Sequence, residues 1–312
     1  MDAWKAGFAA TAGDVTVQYS PDGSGAGREA FLAGAVDFAG SDAYMSEEEL
    51  AQTEKVCGPE GIVEVPAYIS PIAVGYNLPG VDELKLDAGT IAKIFRGEIT
   101  NWNHKSIATQ NPDADLPDLD ITPVNRSDDS GTTENFTDYL NENAPKVWPT
   151  EASGNWPADL QGENAKGTSG VVSVVTDTPG AITYADASAV TQELGTVQVK
   201  VGEEYVELSS EAAAKAVEAA SPVEGREDAD MALELDRTTK ESGAYPIVLV
   251  SYEIFCSQYE DEETANLVKA FGTYMVSEQG QKDAAESAGS APLSPALSEE
   301  ATAAIESITA AS

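Results

Sequence analysis

Three times along this chain a short β-type run gives way, through glycine and hydroxyl residues, to a helix-forming stretch. The junctions are Gly23-Ser24-Gly25-Ala26-Gly27, Gly40-Ser41-Asp42 and the run from Arg126 to Thr133. Repeated strand–turn–helix units pack their helices on a largely parallel sheet, so the pattern predicts an α/β fold.

The pattern extends along the whole chain. Trp4, Phe8 and Ala9 fall at helical spacing and Gly13 stops that helix. VTVQY at 15–19 alternates as a strand, and a helix follows with Ala30, Phe31 and Leu32. A strand near 36–39 leads to a second helix, where Ser46 and Glu49 have capping-box spacing. Residues 63–77 read as paired β segments, 90–99 as a helix, 120–126 as a strand and 130–140 as a helix. A helix, a Pro-Gly turn and a strand occupy 169–186, followed by a hairpin-like pair from 197 and an Ala-rich helix at 210–220. Residues 245–256 are strongly β, and 264–287 read as one long amphipathic helix. The acidic tail from about 298 fits either a last helix or a frayed end.

Composition removes several functions. Seventeen Lys and Arg stand against 54 Asp and Glu, a formal net charge of −37. Nucleic acid needs a basic surface and anionic membranes attract one, so neither is an expected partner. No run approaches the roughly 20 apolar residues of a membrane span, and no cleavable signal segment is present in the sequence. His104 is the one histidine, and Cys57 and Cys256 are the two cysteines. Neither a multi-histidine nor a cysteine zinc site is possible with that supply, and no metal or cofactor is expected. The cysteines, 199 positions apart, fit one long-range disulfide or two buried thiols.

Helix starts carry unpaired N–H groups and partial positive charge, so each junction is a potential oxyanion cradle. The bland alternative is a simple cap, the commoner use of a Ser/Gly turn. A dinucleotide fingerprint wants glycine where Arg28 stands. Neither a P-loop nor a G-x-S-x-G elbow occurs. Arg126 ends a predicted strand just before a Ser/Gly/Thr helix start, where its planar fork suits tetrahedral oxygens, and Asp128 is placed to hold the fork. The plain alternative is a surface ion pair worth about 0–1 kcal/mol.

DGSGAGREAF, DFAGSDAYMS, KIFRGEITNWN, RSDDSGTTENFTDYL and TPGAITYAD occur in that order. Together they resemble the phosphate-binding protein of bacterial phosphate ABC transporters, from about Trp4 to the last helix. The resemblance implies a two-lobed periplasmic-binding-protein-like fold of type II, with a ligand cleft between lobes and two hinge strands. Lobe I would comprise 1–76 and 247–312 and lobe II 77–246, with crossings near Tyr76–Asn77 and Pro246–Ile247. By motif position, Ser24 is expected to donate to phosphate and Asp42 to accept its proton. Arg126 would be the charged donor, oriented by Asp128, and Ser130, Gly131 and Thr132 the helix-start donors. An exported setting favours a Cys57–Cys256 disulfide within lobe I. Family members carry a Gly-x-Gly-x-[TS]-Phe-Pro strand before the helical Trp, whereas here Met1 lies three residues before Trp4; that strand, a signal peptide and any lipid-bearing Cys fall outside this sequence.

The function implied is extracytoplasmic, high-affinity binding of inorganic phosphate by a monomer that delivers it to a membrane permease, without catalysis. Hydrogen phosphate carries a proton that a carboxylate can accept and sulfate carries none, so Asp42 would discriminate between them. Competing readings are a binder of another tetrahedral oxyanion, a phosphate-ester hydrolase using Asp42 or Ser24, and an exported structural protein. The acidic surface is screened beyond about 8–10 Å in physiological salt and reads as a solubility device.

Overall fold

The computed structural model describes residues 1–312 except Asp14, Gln161, Thr191 and Ser312. Helix α1 (Asp2–Ala12) is followed by α2 (Ser24–Leu32), strand β1 (Phe38–Ser41), α3 (Glu47–Cys57) and β2 (Ile62–Tyr76). Next come β3 (Leu84–Leu86), α4 (Ala88–Phe95), α5 (Lys105–Gln110), β4 (Thr122–Arg126) and α6 (Gly131–Asn143). Then follow β5 (Glu163–Ala165), α7 (Gly167–Asp177), β6 (Ala181–Asp186), β7 (Gly195–Val201), β8 (Glu204–Val206) and α8 (Ser210–Glu218). The remainder is β9 (Ser221–Pro222), β10 (Leu233–Glu234), β11 (Val248–Cys256), β12 (Gln258–Tyr259), α9 (Glu262–Val276), α10 (Glu278–Ala288), α11 (Pro295–Glu306) and β13 (Thr309–Ala310).

The chain divides into two compact units. The first holds Met1–Ile69, Ala220–Glu234 and Val250–Ser312; the second holds Ser70–Ala219 and Leu235–Leu249. Strands β2 and β11 therefore run from one unit into the other, with the changeover after Ile69 and after Leu249. The resemblance implies crossings at 76–77 and 246–247 with 220–234 inside lobe II, whereas here 220–234 fall in the first unit.

In the first unit, β1 pairs antiparallel with the end of β11, setting Phe38 opposite Phe255 and Gly40 opposite Glu253. Helix α1 buries Trp4 and Phe8 there; the Trp4 indole N–H donates to Gly280 O at 2.8 Å and Phe8 meets Phe271 edge-on. Arg28, which displaced the dinucleotide reading, is buried. Its Nε donates to Glu49 Oε1 at 2.7 Å and its Nη1 to Ser41 Oγ at 2.8 Å, so one guanidinium ties α2 to α3 and β1. Cys57 and Cys256 form a disulfide, Cα–Cα 5.0 Å, inside this unit.

Three sequence expectations change. Residues 15–19 form no strand; alternation alone does not make a strand without a neighbour to complete the ladder. The segments expected over 63–77 are not a pair: 63–76 belong to one continuous strand, β2, buried along nearly its full length. The helix expected over 264–287 breaks at Ser277, whose extended backbone (ψ 160°) ends α9 and whose Oγ accepts from Gly280 N–H to start α10. The tail does form a helix, α11, with Ser294 as its cap and Pro295 in its first turn.

The second unit is built on parallel pairs: β4 with β6, β4 with β5 and β3 with β7. The end of β2 joins antiparallel to β6, from Ile72 opposite Asp186 to Tyr76 opposite Ile182. This mixed arrangement with covering helices is the α/β class expected. Two of the family motifs meet here. The Trp102 indole N–H donates to Gly180 O at 3.0 Å, and that carbonyl also accepts from Thr122 N–H. Gly180 has φ 90°, and a Cβ there would stand 2.4 Å from Asp120 O, so only glycine fits.

Candidate functional site

Ser24 opens α2 but does not cap it: the N-cap is Gly23, which has no side chain to offer. The Ser24 hydroxyl is buried and accepts the Asp42 backbone N–H at 3.1 Å, which leaves its own proton to donate. Asp42 follows β1 directly. Ser46, four residues on, is the true cap of α3, with the Glu49 capping box complete, so Asp42 is not serving as an N-cap. Its Oδ1 accepts from Ser251 Oγ at 2.5 Å. Ser24 and Asp42 are therefore brought together in the first unit, and Ser251 of β11 joins them.

Two further groups stand beside them. Glu253, two residues beyond Ser251 on the same face of β11, is 3% exposed. A Cβ built on Gly40 would lie 3.4 Å from Glu253 Oε1 and 3.5 Å from the Tyr19 hydroxyl, so both cluster over that glycine. Burial pushes the Glu253 carboxyl up to about 8; the α-amino charge of Met1 opposes this and the Asp42 charge adds to it. Burial and then the Glu253 and Asp42 charges raise the Tyr19 phenol as well.

In the second unit, Arg126 ends β4 at 5% exposure, so it is no surface residue. Its Nε donates to Asp128 Oδ1 at 2.8 Å, Nη2 to Asp128 Oδ2 at 2.5 Å and Nη1 to Thr168 Oγ1 at 3.2 Å. Three of the five guanidinium donors are thus committed, which leaves one on each terminal nitrogen for an oxyanion. Burial works against ionisation of Asp128, but the Arg126 hydrogen bonds, the Gly167 N–H and the Arg126 charge outweigh it and hold the carboxyl below the usual range.

Helix α6 starts beside this pair. Ser130 caps it, its Oγ accepting Thr133 N–H at 3.3 Å, and Gly131 and Thr132 form the first turn, all buried. First-turn N–H groups have no carbonyl within the helix to bond, and the dipole makes their surroundings positive. Tyr184 fixes strand to helix: its hydroxyl accepts Arg126 N–H at 3.2 Å and shares a 2.8 Å hydrogen bond with Thr133 Oγ1. A cavity of about 320 Å³ within this unit is lined by Arg126, Ser127, Asp128, Asn155, Trp156 and Asn164, among others. A larger one, about 590 Å³, lies beside the disulfide and touches none of the expected ligands.

Sequence reasoning missed Ser251, Glu253, Tyr19, Thr168 and Tyr184. The available signal was the pair of polar residues two apart, Ser251 and Glu253, inside an otherwise apolar β run. His104, the one histidine, accepts Ser106 N–H at the start of α5, a local capping role.

Residues 1–279 match the family model described as a PBP superfamily domain. Over 261 residues the chain is 38% identical to phosphate-binding protein PstS 3 of Mycobacterium tuberculosis, spanning 82% of this chain and 70% of that one. It is 37% identical over 263 residues to phosphate-binding protein PstS 2 of the same organism, with the same two coverages of 82% and 70%. Among solved structures, a high-affinity periplasmic phosphate-binding protein (PfluDING) bound with phosphate superposes with a TM-score of 0.75. That likeness covers 96% of this chain and 91% of the other at 23% identity, and it is one of fold. With the matched family model and relatives of this identity and coverage, the chain belongs to the PBP superfamily and, within it, to the phosphate-binding proteins.

Proposed function

We propose that this protein binds inorganic phosphate with high affinity outside the cytoplasm and delivers it to the permease of an ABC transporter, acting as a monomeric carrier that catalyses no reaction. The observation that carries the reading is the buried Arg126–Asp128 pair next to the capped start of α6. A guanidinium fork held by its own carboxylate, with two donors to spare and a helix N-terminus alongside, suits an oxyanion. The proposed ligands are Ser24 and Asp42 in the first unit and Arg126, Ser130, Gly131 and Thr132 in the second, with Asp128 orienting Arg126.

Asp42 gives the reading its chemical selectivity. A carboxylate facing an anion repels it unless a proton lies between them, and hydrogen phosphate brings that proton. Sulfate does not, and would leave a buried acceptor facing another acceptor. Calorimetric titration of the whole chain with phosphate and with sulfate tests this. Saturable phosphate binding with much weaker sulfate binding is expected, and no turnover of a chromogenic phosphate ester. Equal affinities for the two anions would overturn the selectivity, and turnover would overturn the carrier role.

A further inference from the structure

Glu253 is a buried carboxyl beside a proposed anion ligand, and nothing in the binding scheme above uses it. At 3% exposure its Oε2 has no hydrogen-bond partner among the described residues. It stands opposite Gly40 across the β1–β11 ladder, and Gly40 and Asp42 fall on one face of β1 and its continuation. Ser251, on the matching face of β11, donates to Asp42. Two carboxyl groups therefore share one face of one strand pair. Among the described residues, the charged and titratable groups that face Glu253 are Asp42, the Tyr19 phenol and the α-amino group of Met1. One of these three is cationic, and it does not outweigh burial. An ionised carboxylate there would be a second negative charge in a dry place next to the first, which burial disfavours.

We propose that Glu253 is a positioning residue for the anion: it holds a proton next to Asp42, keeps this half of the ligand set to a single carboxylate charge, and phosphate affinity falls when that proton leaves. The inference rests on the phosphate reading and deepens it. A doubly charged ligand next to Glu253 favours the protonated acid further, so binding and protonation reinforce each other. With the free group titrating at about 8, one linked proton weakens binding about tenfold between about pH 7 and about pH 9.

The test is calorimetric titration with inorganic phosphate at those two pH values, on the wild type and on Glu253→Gln, which copies the neutral acid in shape. Any titration of the ligand itself is common to both proteins, so their difference isolates the protein's proton. The expected result is a wild-type loss about tenfold larger than that of Glu253→Gln. Equal losses would overturn the inference while leaving the phosphate reading intact; no phosphate binding at either pH would overturn both. Carboxyl-carbon NMR gives a second readout on the intact chain. A Glu253 midpoint near 8, moving up on phosphate addition and down in Asp42→Asn, is expected. A midpoint in the ordinary glutamate range of about 4.3 would overturn the inference whatever the variant does.

Discussion

Arg126 and Asp128 meet at two points, Nε to Oδ1 at 2.8 Å and Nη2 to Oδ2 at 2.5 Å, only two residues apart at the end of one strand. The pairing orients the guanidinium without using it up. Arg126→Ala should weaken phosphate binding by at least about 2 kcal/mol, roughly thirtyfold, because the anion loses its fully charged donor. Arg126→Lys should recover only part of this, since an ammonium supplies charge without the planar fork. Calorimetry on both variants checks it, and a lysine variant equal to wild type would show that the fork is irrelevant.

Asp42 is expected to govern selectivity more than strength. In Asp42→Asn the amide can donate where the carboxylate could only accept, so sulfate gains a partner that phosphate does not need. The phosphate-to-sulfate affinity ratio should narrow at least about tenfold. Paired titrations with the two anions measure it directly, and an unchanged ratio would end the proton-acceptor role.

The Cys57–Cys256 bridge closes a loop of 199 positions within the first unit. Chain entropy sets its contribution at about 5 kcal/mol at most. Titration of the denatured, unreduced protein should find no free thiol. The Cys57→Ala/Cys256→Ala double variant should melt at a lower temperature, and an unaltered Tm would mean the bridge is energetically idle.

Glu64 supplies a pH signature of stability. It is fully buried at the start of β2; Oε1 accepts Met45 N–H at 3.0 Å, and Asp230 of the excursion 220–234 stands opposite it in a parallel β-bridge. Burial first, then the Asp230 charge, hold its carboxyl well above the usual range, with Met45 N–H and Arg226 opposing. The folded protein thus keeps a proton that the unfolded chain releases above about pH 4.3. Stability from this group is full below that pH and declines as pH rises from there toward the raised folded value. Glu64→Gln keeps an acceptor for Met45 N–H and stays neutral beside Asp230, without the titration. Its Tm should match wild type in acid and exceed it at neutral and alkaline pH; a variant less stable throughout would contradict this.

Much of the fold was legible because its signals are local. The Ser46/Glu49 capping box, the Gly after Pro179 and the hydroxyl-rich start of α6 each act within a few residues, and each stands where the sequence placed it. The second-unit residues from Arg126 to Thr132 were readable for the same reason, since they are contiguous. Thr168, Tyr184, Ser251 and Glu253 were not, because the fold brings them to the same places from 42 to 213 positions away. The strand expected at 15–19 failed for the converse reason: alternation describes a face and says nothing of whether a partner exists to bond it.

The Trp102–Gly180 contact bears on how this family is recognised at all. KIFRGEITNWN and TPGAITYAD are among the most distinctive stretches of the chain, yet what joins them is one carbonyl that takes two hydrogen bonds, one backbone angle only glycine tolerates and the contact of the Phe95 and Tyr184 rings. They are a mortise and tenon of the second unit, and of the two only TPGAITYAD reaches a proposed ligand, through the Tyr184 hydroxyl that accepts Arg126 N–H. A remote sequence carrying both, but without Arg126, Asp128 and the Ser130-Gly131-Thr132 run, would be expected to share this architecture while taking up some other cargo. Searches keyed on the joint will gather the carpentry; what is carried is written around Ser24 and Asp42 and in the run from Arg126 to Thr132.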